Sequence, residues 1–177
     1  MSVSLSNFKL AISDAKELAE CYDLLNAKPD ALPPEALKRA ALIMTLTAWE
    51  TYVEDIATEL FTNKFGVLQG CHIGNYLERE FTNRLKMFHN PDSQKTKLLF
   101  SDFFGIDVTE SWVWGNYLEH KLAKKELDRW LKRRGEAVHR SQVDMTKPDL
   151  IKRKELDQCI RFISELVTIT DKTLQSV

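Results

Sequence analysis

The sequence predicts an all-α helical bundle, and three observations carry that expectation. Apolar residues recur at steps of three and four along several long segments. Prolines and glycines collect between those segments, and no two runs read as a strand pair.

The first segment sets Leu5, Phe8, Ile12, Ala15, Ala19, Tyr22 and Leu25 on one face, which predicts an amphipathic helix ending before Pro29. Pro33 and Pro34 then open a long second helix with the stripe Leu42, Leu46, Trp49, Val53, Ile56 and Leu60 and an end near Gly66. These two long N-terminal helices are expected to pack antiparallel. Five of the six glycines lie between Gly66 and Gly115, so a middle section of shorter helices is expected, over 75–89 and 96–104, divided by the turn Asn90-Pro91-Asp92-Ser93. Another helix is expected from 117 to about 134. A long C-terminal helix over 149–174, opened by Pro148, carries Leu156, Ile160, Ile163, Val167 and Leu174 on one side. Trp112, Trp114 and Trp130 could form a base-stacking platform, but aromatics at this density are more often core.

A chain of 177 residues with 44% hydrophobic content suits one domain, residues 1–177, with a real core. A net charge of −1 argues against a general nucleic-acid coat protein, so any contact with nucleic acid must be local. Residues 121–140 hold eight cations (Lys121, Lys124, Lys125, Arg129, Lys132, Arg133, Arg134, Arg140) against Glu126, Asp128 and Glu136, a local charge of +5 that leaves −6 elsewhere. Cys21, Cys71 and Cys159 are odd in number and widely spaced, which fits reduced structural thiols in a cytosolic protein. No His-Glu-x-x-His and no paired Cys-x-x-Cys occurs, so neither a metal nor a cofactor is expected. The longest apolar stretch, around 40–49, is broken by Thr45 and Thr47 well short of the ~20 residues of a membrane span. A soluble, cytoplasmic protein without membrane contact is expected.

The chemistry concentrates in Lys132-Arg133-Arg134-Gly135-Glu136-Ala137-Val138-His139-Arg140. A fixed cation can stabilise charge developing on a phosphodiester while an imidazole moves the proton, which points to RNA cleavage without a metal. The spacing alone is weak, since Arg, four to six residues, then His arises about 0.6 times by chance in a chain of this composition. Arg84 and His89 form a second instance, read as structural because Leu85, Met87 and Phe88 surround them and Asn90-Pro91 ends the segment.

On a helical wheel of about 100° per residue with Trp130 at zero, the stripe of Ala123, Leu127, Leu131 and Val138 centres near about 45°; Arg134 falls at about 40° and Arg133 at about −60°. Arg134 therefore points along the apolar stripe and needs a carboxylate, a cleft or an interface, while Arg133 reads as a solvated neighbour. Glu50, on the edge of the second helix's apolar face, is a candidate partner for Arg134; the competing reading is a surface or capping carboxylate. A continuous helix would splay His139 about 140° from Arg134 and roughly 7.5 Å along the axis. Either Gly135 ends or distorts the helix and brings His139 back, or a twofold dimer gathers two copies of both groups.

Several stretches together resemble the HEPN superfamily, and within it the RiboL-PSP and MAE-type HEPN-like nucleases. They are Ala40-Ala41-Leu42-Ile43 through Ala48-Trp49-Glu50-Thr51-Tyr52-Val53-Glu54, then Asn90-Pro91, Leu99-Phe100 through Phe103-Phe104-Gly105-Ile106-Asp107, Trp112 to Trp114, and Arg134 to His139. The family motif is Arg, four to six residues, His, and Arg134 with His139 matches it. Gly135 stands where members often carry Asn, Asp or another polar residue, and Arg140 where a small residue is frequent. The resemblance implies an all-α dimer whose two motifs form one cleft and cleave RNA without metal. Many members resemble toxins or phage-defence effectors, so RNA, a second copy and a cognate antitoxin or regulatory protein are the partners implied.

On this reading His139 moves the proton and Arg134 holds the scissile phosphate. Arg133 and Arg140 hold flanking phosphates, Lys121, Lys124, Lys125 and Lys132 attract the strand, and Glu50 positions Arg134. The alternative is a non-catalytic module with the same helices that dimerises or binds protein or RNA. A third possibility is a small-molecule or nucleotide-binding bundle.

Overall fold

The computed structural model describes residues 2–28, 34–139 and 151–176. Among them lie six α-helices and no strand: α1 (Val3–Asn26), α2 (Glu35–Phe65), α3 (His72–Lys86), α4 (Ser93–Phe104), α5 (His120–His139) and α6 (Arg153–Leu174). The order is the one that apolar periodicity predicts.

Helices α1 and α2 form the antiparallel hairpin. Ser4 at the start of α1 donates to Glu59 late in α2 at 2.7 Å, and Tyr22 near the end of α1 donates to Glu35 at the start of α2 at 3.3 Å. Helix α6 runs antiparallel to α1, since Ser2 bonds Asp171 at one end while Arg153 reaches Asp23 at 2.8 Å at the other. Most of the buried apolar surface therefore comes from long parallel or antiparallel stripes, the packing that a 3.6-residue period supplies. The largest buried side chains gather where α2 meets α5, α6 and the segment before α5. Trp49, Trp112 and Trp130 are wholly buried there, with Trp49 edge-on to Trp112 at 6.0 Å between centroids. The tryptophans form core and not an exposed stacking surface. Trp112 donates to Thr170 at 3.0 Å and Trp114 to Glu165 at 2.6 Å, so these two indoles have their polar partners on α6.

Some boundaries differ from the sequence reading. Helix α3 starts at His72 because Cys71 Sγ accepts the Gly74 N–H at 3.3 Å, and it stops at Lys86. Helix α4 starts at Ser93 because Asp92 caps it, accepting the Lys95 N–H at 2.7 Å. Helix α6 starts at Arg153 rather than just after Pro148, with the Glu155 carboxylate accepting the Lys152 N–H at 3.0 Å. Pro148 lies outside the described residues. Of the three free cysteines only Cys159 is a core residue, and Cys21 and Cys71 are exposed.

The largest departure lies in α5. The helix does not end or bend at Gly135 but continues through it to His139. One flexible residue costs a helix only about 1 kcal/mol, and the buried Ala137 supplies packing beyond it. A methyl group at Gly135 would meet nothing within 4 Å. Gly135→Ala is therefore expected to stabilise the fold by about 0.5–1 kcal/mol, read as a rise in denaturation midpoint at unchanged slope. A loss of stability would show that Gly135 is needed as a hinge.

Candidate functional site

Arg134 projects from the buried side of α5 toward α2, as its place on the apolar stripe requires. Its side chain is only 16% exposed and is compensated on three sides. Nη1 donates to Glu50 Oε2 at 2.7 Å and to Asn90 Oδ1 at 2.5 Å, while Nη2 donates to Thr47 Oγ1 at 3.2 Å. Thr47 and Glu50 stand three residues apart on α2, so one face of that helix presents both. A half-buried guanidinium without such acceptors would cost several kcal/mol.

Glu50 is held as firmly as the cation. Its Oε2 takes Arg134 and its Oε1 accepts the backbone N–H of Asn90 at 2.9 Å. With both oxygens engaged it is suited to orienting Arg134. One turn further along α2, the Glu54 carboxyl sits above its ordinary value because of burial first and the Glu50 charge second, partly offset by His89.

The turn between α3 and α4 completes the cluster. Asn90 has φ of 49°, in the left-handed region that Asn tolerates better than most residues. That conformation aims its N–H at Glu50 and its side-chain oxygen at Arg134. The turn is pinned by the Trp49 indole, which donates to the Pro91 carbonyl at 2.9 Å, and by Asp128 of α5, which accepts from Ser93 N–H at 3.0 Å and Ser93 Oγ at 3.1 Å.

Among the described residues this arrangement leaves one edge of the guanidinium without an acceptor. Both Nη1 hydrogens are used and one Nη2 hydrogen goes to Thr47; among the described residues no acceptor meets Nε–H. Nε–H and the second Nη2–H lie side by side in the guanidinium plane, the two-donor fork that matches two phosphate oxygens.

Of the residues singled out from sequence, the structure brings Arg134 and Glu50 together and keeps the other described ones apart. His139 is exposed at the end of the described part of α5. Because the helix is continuous, it points about 140° away from Arg134, and Lys121, Lys125 and Lys132 fall within about 40° of His139 on the same wheel. All three lysines are exposed, and Lys124 is partly covered. Helix α5 thus carries an inward Arg134 face and an outward face of His139 and lysines. Arg133 is not the solvated neighbour expected: it pairs with Glu155 at 3.0 Å and lies over the Trp130 ring at 5.4 Å. It faces α6, and its charge is already answered there. The Lys152 N–H first, and Arg133 against the opposing cost of burial, hold the Glu155 carboxyl below its ordinary value. Val138, placed on the apolar stripe by periodicity, is 55% exposed. At the end of α5 the buried side has shifted to Ala137, about 100° round from it. Arg140 lies outside the described residues.

The second Arg and His pair is divided. Arg84 bonds Asp102 at 2.8 Å, with both side chains more than 40% exposed. His89 is exposed too, but it immediately precedes Asn90 and so borders the Arg134 cluster. An exposed pair contributes about 0–1 kcal/mol, and Arg84→Ala is expected to leave melting and any RNA cleavage close to wild type. A folded Arg84→Ala protein that had lost cleavage would move the site toward α3 and α4.

Asn90 and Thr47 were missed from sequence. Thr47 was within reach, since whatever meets Glu50 also meets the residue one turn before it. Asn90 reads as a turn residue, and only tertiary structure brings it to Arg134.

Among the described residues no group of three or more His, Cys, Asp or Glu could hold a metal ion. No described helix is long and apolar enough to cross a membrane. No curated protein and no solved structure matches the chain. The family model of RiboL-PSP-HEPN matches residues 10–176, which takes in the Arg134 cluster, His139 and all but the first turns of α1. The chain therefore belongs to the RiboL-PSP-HEPN family.

Proposed function

We propose that the protein is a metal-independent endoribonuclease acting through Arg134 and His139. The observation that carries the reading is the Arg134 guanidinium, held by Glu50, Asn90 and Thr47 with its Nε and Nη2 edge open. That edge would bind two oxygens of the scissile phosphate and stabilise the charge added when the ribose 2′-oxygen attacks phosphorus. The 2′-OH proton passes to a base, the bond from phosphorus to the 5′-oxygen breaks, and an acid returns a proton to that oxygen. The products are a 2′,3′-cyclic phosphate and a 5′-OH. An imidazole, with an ordinary pKa of about 6.5, suits either proton role.

His139 faces away from Arg134 of its own chain, so we read the site as shared across a twofold axis that brings Arg134 and His139 from two copies to one cleft. Exposed Val138, on the Arg134 side of α5, supplies apolar surface for such a contact. Lys121, Lys124, Lys125 and Lys132 would draw RNA along the outer face, with Arg140 flanking. Arg133, occupied by Glu155, would contribute to binding only where that pair opens. Light scattering at tens of micromolar is expected to report a dimer, and a monomer would end the shared-site reading.

A second assignment rests on the Asn90 contact, which puts His89 of the same chain one residue from the Arg134 cluster and would need no second copy. Comparing folded His139→Ala with His89→Ala decides between them: the first assignment expects loss only in the former. The test of the function is cleavage of a labelled RNA in EDTA, with cyclic phosphate ends and no cutting where the scissile ribose is 2′-deoxy. Products with 3′-OH ends would rule out attack by the 2′-oxygen, and no cleavage at all would leave the non-catalytic binding module. We place the nuclease in a toxin–antitoxin or antiphage setting on the family resemblance, with growth arrest by wild type but not by His139→Ala as its check.

A further inference from the structure

We propose that Asn90 is a positioning residue for Arg134, setting the plane in which the open guanidinium edge meets a phosphate. The proposal rests on the reading of Arg134 as the phosphate-binding cation.

A guanidinium held only by the Glu50 bond at Nη1 can pivot about that contact, and the open Nε and Nη2 edge would sweep with it. Asn90 Oδ1 takes the second Nη1 hydrogen at 2.5 Å, and Thr47, at 3.2 Å on Nη2, is the longer contact. Two acceptors on one nitrogen fix both its hydrogens, and with them the plane of the whole group. Asn90 can do this because its own place is set independently of Arg134. Its N–H is bonded to Glu50, the next carbonyl is held by Trp49, and Ser93 is tied to Asp128. Carboxylate, amide and guanidinium form a closed triangle, Glu50 to Asn90 to Arg134 and back to Glu50.

The residue type fits the task. A φ of 49° suits Gly, Asn or Asp. Gly has no acceptor, and Asp would add a second negative charge beside Glu50. Asn is the neutral member of that set with an oxygen at the right reach.

Asn90→Gly isolates the side chain, since glycine keeps the left-handed backbone and the N–H to Glu50. In the full-length protein with an RNA oligonucleotide, it is expected to melt near wild type and lower kcat by about 10–100-fold with KM little changed, the scale of a reacting group misplaced by about 1 Å. Asn90→Asp, which restores an acceptor but adds a charge beside Glu50, should recover part of that rate. In an Arg134→Lys background, Asn90→Gly should add little, because both changes act through one group. A readout without turnover is the ¹⁵N Nε–H signal of Arg134, identified by its loss in Arg134→Lys and expected to shift in Asn90→Gly. An unchanged signal in folded Asn90→Gly, or wild-type kcat in that variant, overturns the role of Asn90. If the signal responds but the wild-type protein cuts no RNA, the positioning stands and the nuclease reading falls instead.

Discussion

His139→Ala is expected to lower RNA cleavage by about 10²–10⁴-fold, the usual contribution of a general acid or base, while the protein stays folded. The side chain is exposed at the end of α5 and carries no core packing, so its removal should leave the melting temperature close to wild type. That separation of activity from stability makes it the cleaner of the two motif variants. Arg134 is different, because it has structural as well as chemical partners. Arg134→Ala would strand the Glu50 carboxylate with one oxygen unanswered and mix instability with loss of function. Arg134→Lys keeps a positive charge near Glu50 but has neither the planar fork nor enough donors in fixed directions to reach Asn90 and Thr47 together. Cleavage should fall steeply in that variant, with a smaller effect on stability. If folded His139→Ala cuts RNA at the wild-type rate, His139 is not the proton-transfer group; if Arg134→Lys also does so, the open guanidinium edge is not what binds the phosphate.

How far the site could be read in advance follows from the range of each interaction. Local rules reach about one helical turn, so apolar stripes, the proline-opened second helix and the turn at Asn90 and Pro91 were all legible from residues in sequence order. Arg134 stood out for a related reason. A cation on an apolar stripe contradicts its surroundings unless something pairs with it, and Glu50 on the edge of the other long stripe was the candidate. The orientation of His139 was not legible, because it turned on whether α5 survives Gly135. A glycine penalty of about 1 kcal/mol is outweighed by packing that only the folded chain reveals, here the burial of Ala137. Arg133 was misread on the same ground, since its wheel position says that it leaves the stripe of α5 but not that α6 brings Glu155 to meet it. Asn90 is the extreme case. Its contact spans 44 positions and depends on a backbone angle that no periodicity encodes.

Trp49→Ala is expected to cost about 3–5 kcal/mol of stability, the range for truncating a large buried aromatic. The indole is wholly buried, edge-on to Trp112 and against Tyr52, where α2 meets the rest of the core. With about 2–4 °C lost per kcal/mol in a domain of this size, melting should fall by roughly 10 °C. The loss should also reach the site, because Trp49 immediately precedes Glu50 and its Nε1–H holds the Pro91 carbonyl beside Asn90. Trp49→Phe separates the two contributions. It keeps most of the ring but leaves that carbonyl without its donor, at a cost of about 1–3 kcal/mol, and the Asn90 turn loses one of its ties to α2. Urea denaturation gives the stability of both variants, and the Arg134 Nε–H signal gives the state of the guanidinium. In Trp49→Phe that signal should move toward its position in Asn90→Gly even though the protein remains folded. A Trp49→Phe protein with unchanged stability and an unchanged Arg134 signal would mean that the turn is held by Glu50 and Asp128 alone.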